Sequence, residues 1–310
     1  MAVNFGIAIH GGAGTILKST MTPELQAQYE DALKCAVETG FRALENGGSA
    51  LDAVEAAVTV LEDFPLFNAG KGSVFNNKGS HEMDAAIMSG SDLNAGTVCG
   101  IKSVANPIQV ARKVMEESGH VMLMGDGALE FAKSQGFEVK NEDYFFTQQR
   151  YNQWQEAMAE NKVQLDHTEK SDKKFGTVGA VALDKNGNLA AATSTGGLTN
   201  KKFGRIGDSP VVGAGTYANN DTCAISCTGV GELFIRKVVG HNISCRMAFL
   251  GETLQKACDV LVHDELVKIG GEGGLVAIDK NGNIYMPFNS EGMYRASMSS
   301  SGTQEILIYK

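Results

Sequence analysis

The hydrophobic and polar positions divide the chain into an N-terminal part rich in amphipathic helices and a C-terminal part rich in strands. Residues 4–9 form an apolar strand that we expect to end in a glycine-rich turn at His10–Gly14. Thr22 is a common type of N-cap residue, and Pro23 is favoured at the first position of a helix. Apolar residues then recur at helical spacing. The same patterns predict, in chain order, a helix from Ser49 with Asp52 in a capping box, a hairpin over 75–88, a strand over 97–104, a helix from Pro107, a strand over 120–125 and a helix over 127–134.

Residues 138–174 interrupt this pattern. They are largely Glu, Asp, Lys, Gln and Asn, with one modest helical stretch over 149–158. Loops of this length are uncommon inside compact domains and are usually functional. We therefore expect a flexible linker over 138–174 within one domain spanning 1–310.

From residue 177 onwards the chain consists mainly of predicted strands. The runs 178–183 and 222–227 are apolar throughout, as expected of strands that are covered on both faces. Residues 179–188 and 274–283 are near copies, and each reads as a strand, an Asn-Gly turn and a return strand. Helices are expected at 231–239 and 246–269 and a last strand at 304–309. These elements predict an α+β fold, a four-layer αββα sandwich of two antiparallel sheets with helices on both outer sides.

Composition narrows the classes of function. The net charge of −9 disfavours nucleic acids and anionic membranes as partners. The six cysteines lie mostly in apolar or helical patterns, which favours reduced thiols, and no second cysteine pair accompanies Cys223 and Cys227 to make a zinc site. The first residues have no signal-peptide pattern, and no run is long enough for a transmembrane helix. We expect a cytoplasmic protein.

The junction between Gly176 and Thr177 carries the strongest candidate chemistry. A threonine hydroxyl needs a base, and a threonine that becomes the first residue of a chain has one in its own α-amino group. That amine has an ordinary pKa of roughly 7.7 to 8.0, so it can accept a proton near neutrality. Gly176 lacks Cβ, which leaves its carbonyl open to attack by the Thr177 hydroxyl in an N to O acyl shift. Most Gly-Thr pairs before a strand simply begin that strand, so the flanking sequence must decide.

The flanking sequence resembles the plant-type L-asparaginases, also called isoaspartyl peptidases, which are N-terminal-nucleophile hydrolases. The resemblance rests on His10–Gly14, Asn68–Gly70, Thr177–Asp184, Ala191–Gly197, Lys202–Asp208 and Gly213–Ala218. It covers nearly the whole chain except the segment around 138–174. It implies the αββα fold, self-cleavage into subunits of residues 1–176 and 177–310, and a homodimer of the cleaved units.

Further candidates surround the nucleophile. Thr195 ends the strand that the first hairpin pairs with that of Thr177, so its hydroxyl can contact the Thr177 hydroxyl. Thr228 and Gly229 lie where a strand ends and a helix begins, and can form an oxyanion hole there. Without the resemblance, both threonines read as ordinary strand ends.

The resemblance also implies roles for the charged loop that follows. It assigns Arg205 to the α-carboxylate of the substrate and Asp208 to its α-ammonium group, with a backbone contact from Gly231 and with Asn68 beside the nucleophile. The alternative from the residues alone is a surface ion pair between Arg205 and Asp208. For His10–Gly14, a loop near the active site and a packed turn with His10 bonded to backbone stay equally open.

The resemblance implies no cofactor for the chemistry, but it does imply a structural sodium ion. Its ligands would be the backbone carbonyls of Leu61, Glu62, Phe64, Phe67, Ala69 and Lys71. Oxygen ligands suit a hard cation that stiffens a loop, although side-chain types alone cannot reveal such a site.

The expected function is hydrolysis of L-asparagine to L-aspartate and ammonia, and of β-aspartyl dipeptides, through a β-aspartyl ester on Thr177. The alternatives are a glycosylasparaginase, a threonine aspartase-like protease, and an unprocessed inactive relative that only binds ligands.

Overall fold

The structure is a computed structural model that describes residues 4–19, 21–160 and 176–310. Its strands are β1 Gly6–Gly14, β2 Met83–Ser89, β3 Ala95–Ile101, β4 Met122–Met124, β5 Val178–Leu183, β6 Leu189–Thr195, β7 Thr216–Ala218, β8 Cys223–Gly229, β9 Gly273–Asp279, β10 Ile284–Tyr285, β11 Gly292–Ser299 and β12 Gln304–Tyr309. Its α-helices are α1 Pro23–Glu45, α2 Ala50–Asp63, α3 Pro107–Glu117, α4 Gly125–Ser134, α5 Gln148–Ala159, α6 Gly231–Lys237, α7 Val239–Leu250, α8 Leu254–Asp259 and α9 Leu266–Lys268.

The strands form two sheets. The larger has eight strands in the order β12-β11-β1-β5-β6-β2-β3-β4, and the smaller has four in the order β10-β9-β8-β7. Neighbouring strands are antiparallel except for β3 and the short edge strand β4, which pair in parallel. The nucleophile candidate thus precedes β5, at the centre of the larger sheet.

The buried side chains form three layers of core. One packs α1, α2 and α3 against the outer face of the large sheet, one lies between the sheets, and one packs α6, α7 and α8 against the small sheet. Strand β5 is apolar throughout because both of its faces are buried. Val178 and Ala180 face the first layer, while Val181 and Leu183 face the second. The predicted four-layer αββα sandwich is confirmed.

The two near-copied hairpins are also confirmed, and they share one turn chemistry. In the first, the Asp184 carboxylate accepts hydrogen bonds from the backbone N–H groups of Asn186 and Asn188 at 2.8 and 2.9 Å. In the second, Asp279 accepts the equivalent bonds from Asn281 and Asn283 at 2.9 Å each. Gly187 and Gly282 have φ of 82° and 84°, which glycine adopts at little cost.

Two boundaries predicted from the sequence are wrong. Strand β1 does not end before His10 but continues to Gly14 through a bulge between His10 and Gly12, where extra residues are accommodated without leaving the sheet. The single helix predicted over 246–269 is interrupted, because Gly251 adopts a φ of 65° and Thr253 caps a new helix through a bond to the Lys256 N–H.

The first part of the predicted flexible linker is folded. Helix α5 places the buried Arg150 against the loop after α2, where its guanidinium donates to the carbonyls of Gly72 at 2.8 Å and Leu66 at 3.2 Å. Trp154 stacks on Phe75 at 5.5 Å between ring centroids. The expectation therefore fails for residues 138–160, and the rest of it, over 161–174, lies outside the described residues.

In the described ranges, no helix has the length and apolar composition needed to cross a membrane. All six cysteines are free thiols.

Candidate active site

Thr177 directly precedes β5 of the large sheet. It belongs to a polar cluster whose hydrogen bonds reach the residues on both sides of the Gly176–Thr177 bond. Its hydroxyl donates to the Thr195 hydroxyl at 3.1 Å. The Thr195 hydroxyl in turn donates to the Gly176 carbonyl at 3.0 Å and accepts from the Gly197 N–H at 3.0 Å. Strand pairing explains the first contact, because the β5–β6 hairpin pairs Val178 with Ser194 and so brings the flanking threonines together.

Asn68 supplies the second donor to the same carbonyl. Its side-chain amide donates to the Gly176 carbonyl at 2.9 Å and to the Gly197 carbonyl at 2.7 Å, and its oxygen accepts from the Val74 N–H at 3.0 Å. The side chain is fully buried. Two donors therefore converge on the oxygen that becomes negatively charged if the Thr177 hydroxyl attacks this peptide bond.

The chain is continuous through Gly176 and Thr177, so the Thr177 nitrogen is a peptide nitrogen here. It becomes a basic amine only when this bond is cut.

Thr228 and Gly229 end β8 next to Thr177, as the sequence predicts, and α6 begins two residues later at Gly231. Gly229 lines the pocket that contains Thr177. The Thr228 hydroxyl is fully buried and accepts from the Ala13 N–H at 3.4 Å, which leaves its own hydrogen available for donation.

Arg205 and Asp208 line the same pocket, and they do not form the surface ion pair that was the alternative interpretation of their sequence. The Arg205 guanidinium makes a bidentate pair with Glu232, with Nε to Oε1 and Nη2 to Oε2 both at 2.9 Å. Gly231 lies against both groups: a Cβ there would come within 2.7 Å of the Arg205 guanidinium and 3.0 Å of the Asp208 carboxylate. Only glycine leaves room for this arrangement.

Asp208 is a buried carboxyl with an unused acceptor. Its side-chain atom Oδ2 has no hydrogen-bond partner among the described residues. Burial raises the pKa of Asp208 to about 7, although the positive charge of Arg205 opposes the shift. A cationic ligand group at this position would supply the missing partner and stabilise the carboxylate.

The pocket contains both the Gly176–Thr177 bond and the charged pair. Its walls are formed by Gly176, Thr177, Thr195, Gly197, Leu198, Arg205, Gly207, Asp208, Ser209 and Gly229. Three of the predicted catalytic and substrate-binding residues, Asn68, Thr228 and Gly231, are not part of this wall.

Three charged residues near the site were missed from the sequence. Glu232 is an acidic residue in the first turn of α6, a signal that could have indicated a partner for Arg205. Lys201 is buried beneath Gly197, and its ammonium donates to the Glu82 carbonyl at 2.7 Å. The nearby buried Asp84 opposes the lowering of the Lys201 pKa that burial causes.

The loop after α2 is tightly packed, and its glycines lie close to carbonyl oxygens of α2 and of the loop itself. A Cβ at Gly72 would lie 2.1 Å from the Phe67 carbonyl, and one at Gly70 would lie 2.5 Å from the Glu62 carbonyl. The carbonyls of Leu61, Phe64 and Ala69 each accept one backbone bond at 3.1 to 3.3 Å and keep a second lone pair. The loop is thus compatible with a cation bound by carbonyls. Among the residues that the structure describes, no cluster of His, Cys, Asp or Glu side chains could bind a metal.

The Glu62 side chain fixes this loop to the site. Its carboxyl accepts from the Ser194 hydroxyl at 2.6 Å and from the Ile108 N–H at 3.0 Å. Burial raises its pKa to about 8. Ser194 precedes Thr195, so the contact connects α2 to the strand end that carries the partner of Thr177.

An αββα sandwich with a threonine nucleophile candidate at the start of a central strand is the arrangement of the N-terminal-nucleophile hydrolases. Comparison with known sequences narrows this class. The sequence model of the family Asparaginase_2, whose description is "Asparaginase", matches residues 3–308. The chain belongs to this asparaginase family, and it is a hydrolase.

Curated relatives agree over nearly their whole length. The chain is 51% identical over 307 residues to the isoaspartyl peptidase of Salmonella typhimurium, covering 98% of each chain. It is 50% identical over 307 residues to the isoaspartyl peptidase of Escherichia coli, covering 98% of this chain and 96% of the relative. It is 43% identical over 303 residues to the plant-type L-asparaginase of Pyrococcus furiosus, covering 94% of this chain and 95% of the relative.

Proposed function

We propose that the chain is a self-processing threonine amidohydrolase that hydrolyses L-asparagine and β-aspartyl dipeptides. The observation that carries the proposal is the cluster at the cut site. The Thr177 hydroxyl contacts Thr195, while the adjoining Gly176 carbonyl accepts from both Asn68 and Thr195. A single chain of hydrogen bonds thus connects the nucleophile, the Thr177 hydroxyl, with the electrophile, the polarised carbonyl of the preceding Gly176.

Self-cleavage uses this cluster first. The Thr177 oxygen attacks the Gly176 carbonyl carbon while its proton passes to the Thr195 hydroxyl, which gives its own proton to the Gly176 oxygen, and Asn68 donates to the same oxygen. As the carbonyl re-forms, this proton moves to the Thr177 nitrogen and the C–N bond breaks, which leaves an ester between Gly176 and the Thr177 oxygen. Water hydrolyses the ester, which releases residues 1–176 and 177–310 as two associated subunits.

Substrate hydrolysis then uses the new chain end. The Thr177 α-amine accepts the hydroxyl proton as the oxygen attacks the β-carbonyl of the substrate, and the Thr228 hydroxyl and Gly229 N–H donate to the oxyanion. The leaving amine departs with a proton, as ammonia from asparagine or as an amino acid from a dipeptide. Water then hydrolyses the β-aspartyl ester and regenerates Thr177.

The charged pair selects the aspartyl half of the substrate. Arg205 would bind the α-carboxylate, for which a planar guanidinium is well shaped, and Asp208 would bind the α-ammonium group. The unused Oδ2 of Asp208 supports this assignment. Gly231 leaves the space between them open.

Three features of the assembled protein complete the proposal. A sodium ion on the carbonyls of Leu61, Glu62, Phe64, Phe67, Ala69 and Lys71 would stiffen the loop that carries Asn68. The exposed Phe249 and Leu250 support a homodimer of cleaved units, which light scattering would detect as twice the 32.9 kDa of one chain. The six free thiols support a cytoplasmic location.

The substrate test compares L-asparagine, a β-aspartyl dipeptide and a glycosylated asparagine on the cleaved enzyme. We expect kcat/KM to be highest for the dipeptide, because its leaving group adds contacts that can contribute binding energy in the transition state. A glycosylasparagine that proved the best substrate would favour the alternative, a glycosylasparaginase. An intact chain without activity would favour an inactive binding relative.

The pH dependence of ligand binding tests Asp208. A carboxyl with a pKa of about 7 is mostly protonated at pH 6 and mostly ionised at pH 8, and only the ionised form attracts an ammonium group. The affinity of the cleaved enzyme for L-aspartate, measured by titration calorimetry, should therefore rise about tenfold from pH 6 to pH 8. Asp208→Asn should bind weakly at both pH values. An affinity that stays constant in the wild type would contradict the assignment.

A further inference from the structure

A line of buried polar side chains crosses the core between the two sheets, directly behind the nucleophile. It consists of His10 on β1, Ser226 on β8, Thr193 on β6 and Thr216 on β7, all of them fully buried. Most of the surrounding side chains between the two sheets are apolar. Burying four polar groups in such a core is costly unless each has a partner.

Each member of this line is hydrogen-bonded to the next. The His10 imidazole contacts the Thr177 carbonyl through Nδ1 at 3.0 Å and the Ser226 hydroxyl through Nε2 at 2.9 Å. The Ser226 and Thr193 hydroxyls are 2.7 Å apart, and the Thr193 and Thr216 hydroxyls are 2.6 Å apart. The line thus ends on the backbone of the nucleophile itself.

The Thr177 carbonyl fixes the direction of the bonds that His10 makes. A carbonyl only accepts, so Nδ1 of His10 must carry the hydrogen, and burial keeps the ring neutral by lowering the pKa of His10 to about 3. Nε2 therefore accepts from Ser226, and Ser226 accepts from Thr193. The Thr216 hydroxyl lies within hydrogen-bond distance of both the Thr193 hydroxyl, at 2.6 Å, and the Ser209 carbonyl, at 2.9 Å. The hydroxyls hold one tautomer of His10, the one that can donate to Thr177.

Gly179 provides independent support, because it makes room for this contact. It lies opposite His10 in the sheet, and its backbone is ordinary strand. A Cβ there would lie 2.0 Å from the Ser226 hydroxyl oxygen and 2.6 Å from Nε2 of His10. A glycine inside a strand is destabilising, so its presence here is explained by the space that the imidazole and hydroxyl need.

We propose that His10 is a positioning residue that fixes the backbone of Thr177 once the chain has been cut. The inference rests on the proposed function, in which Thr177 is the nucleophile. In the uncut chain the bond to Gly176 restrains Thr177 from one side and β5 from the other. After the cut the first restraint is lost, and the His10 bond to the Thr177 carbonyl remains to orient the free amine and hydroxyl.

This role predicts that His10 affects turnover more than self-cleavage. The test uses His10→Asn, whose amide nitrogen can replace the Nδ1 donor, and His10→Gln, which places its amide near Nε2 and removes that donor. We expect His10→Gln to lower kcat about 10-fold to 100-fold, the usual cost of a misplaced reacting group, with KM within about twofold of wild type. His10→Asn should recover most of the loss, and both variants should still cut themselves.

The matched control is Ser244→Ala. Ser244 also forms a buried hydroxyl pair, with Thr222 at 2.7 Å, but in the core on the far side of the small sheet. It should leave kcat unchanged. Self-cleavage is followed on denaturing gels, turnover by steady-state kinetics, and folding by thermal unfolding of each variant.

The outcomes separate the two proposals. If the wild type is active and His10→Gln keeps its kcat, or if His10→Asn is as impaired as His10→Gln, the positioning role is overturned while the proposed function stands. A loss confined to KM also overturns it. A wild-type chain that neither cuts itself nor hydrolyses substrate would overturn both. Should His10→Gln fail to fold, Ser226→Ala gives the same decision, since it removes the donor that holds the tautomer and should lower kcat severalfold at unchanged KM.

Discussion

Replacing Thr177 with alanine is expected to leave the chain as one polypeptide of 310 residues without measurable hydrolase activity. The variant lacks the oxygen that attacks Gly176, so no ester can form and no amine is released. Intact-mass analysis of purified, aged protein gives the first readout, and an assay for ammonia or for the released amino acid gives the second. Loss of a nucleophile that acts together with its base typically costs about a millionfold in kcat, so the residual hydrolysis rate of the variant should be below detection.

Two variants make this result specific. Thr177→Ser keeps a hydroxyl and can release an α-amine, so it should retain part of both activities. Thr222→Ala removes another buried threonine hydroxyl, which contacts Ser244 rather than the cut site, and should behave as wild type in both assays. An alanine variant at 177 that still cut itself, or still hydrolysed asparagine at a normal rate, would rule out the mechanism.

The fold was predictable from the sequence because its signals are local. The capping box at Ser49 and Asp52 forms as expected, and so does the Thr22 cap before Pro23. The boundaries that failed depend on neighbours. His10 continues β1 because β11 and β5 pair with it on both sides, which overrides the preference of the following glycines for a turn.

Helix α5 shows a related limit of sequence reasoning. Its residues are mostly polar and suggest a solvated linker. The segment folds because Arg150 is buried against the carbonyls of another loop and Trp154 against Phe75. Carbonyl acceptors have no signature in the sequence, so a buried arginine of this kind cannot be distinguished from an exposed one.

The predicted site residues are brought together, but their partners were not foreseeable. Arg205 and Asp208 are close in the sequence, so from the residues alone an ion pair between them was the alternative to substrate binding. Instead Arg205 binds Glu232 and Asp208 is buried by its surroundings. His10 acts on Thr177 across 167 positions of sequence, and only sheet pairing makes that contact visible.

Replacing Arg205 with alanine is expected to lower kcat/KM for L-asparagine and for a β-aspartyl dipeptide together. Both substrates present the same α-carboxylate, and removal of its cationic partner from a largely buried site costs about 2 to 5 kcal/mol, or roughly 30-fold to several thousandfold. The loss should be larger than in Arg205→Lys, which keeps the charge but not the planar fork. Steady-state kinetics on both substrates measure the two losses side by side.

Self-cleavage provides an internal control for this variant, because the contacts around Gly176 do not include Arg205. Arg205→Ala should therefore cut itself normally. Arg246→Ala is the matched external control. Arg246, on α7, forms a similar bidentate pair with Glu252 at 2.7 Å, and its loss should leave kcat/KM unchanged. If Arg205→Ala impaired only one of the two substrates, a shared carboxylate site would be wrong. If it also blocked self-cleavage, Arg205 would be acting on the cut site rather than on the substrate.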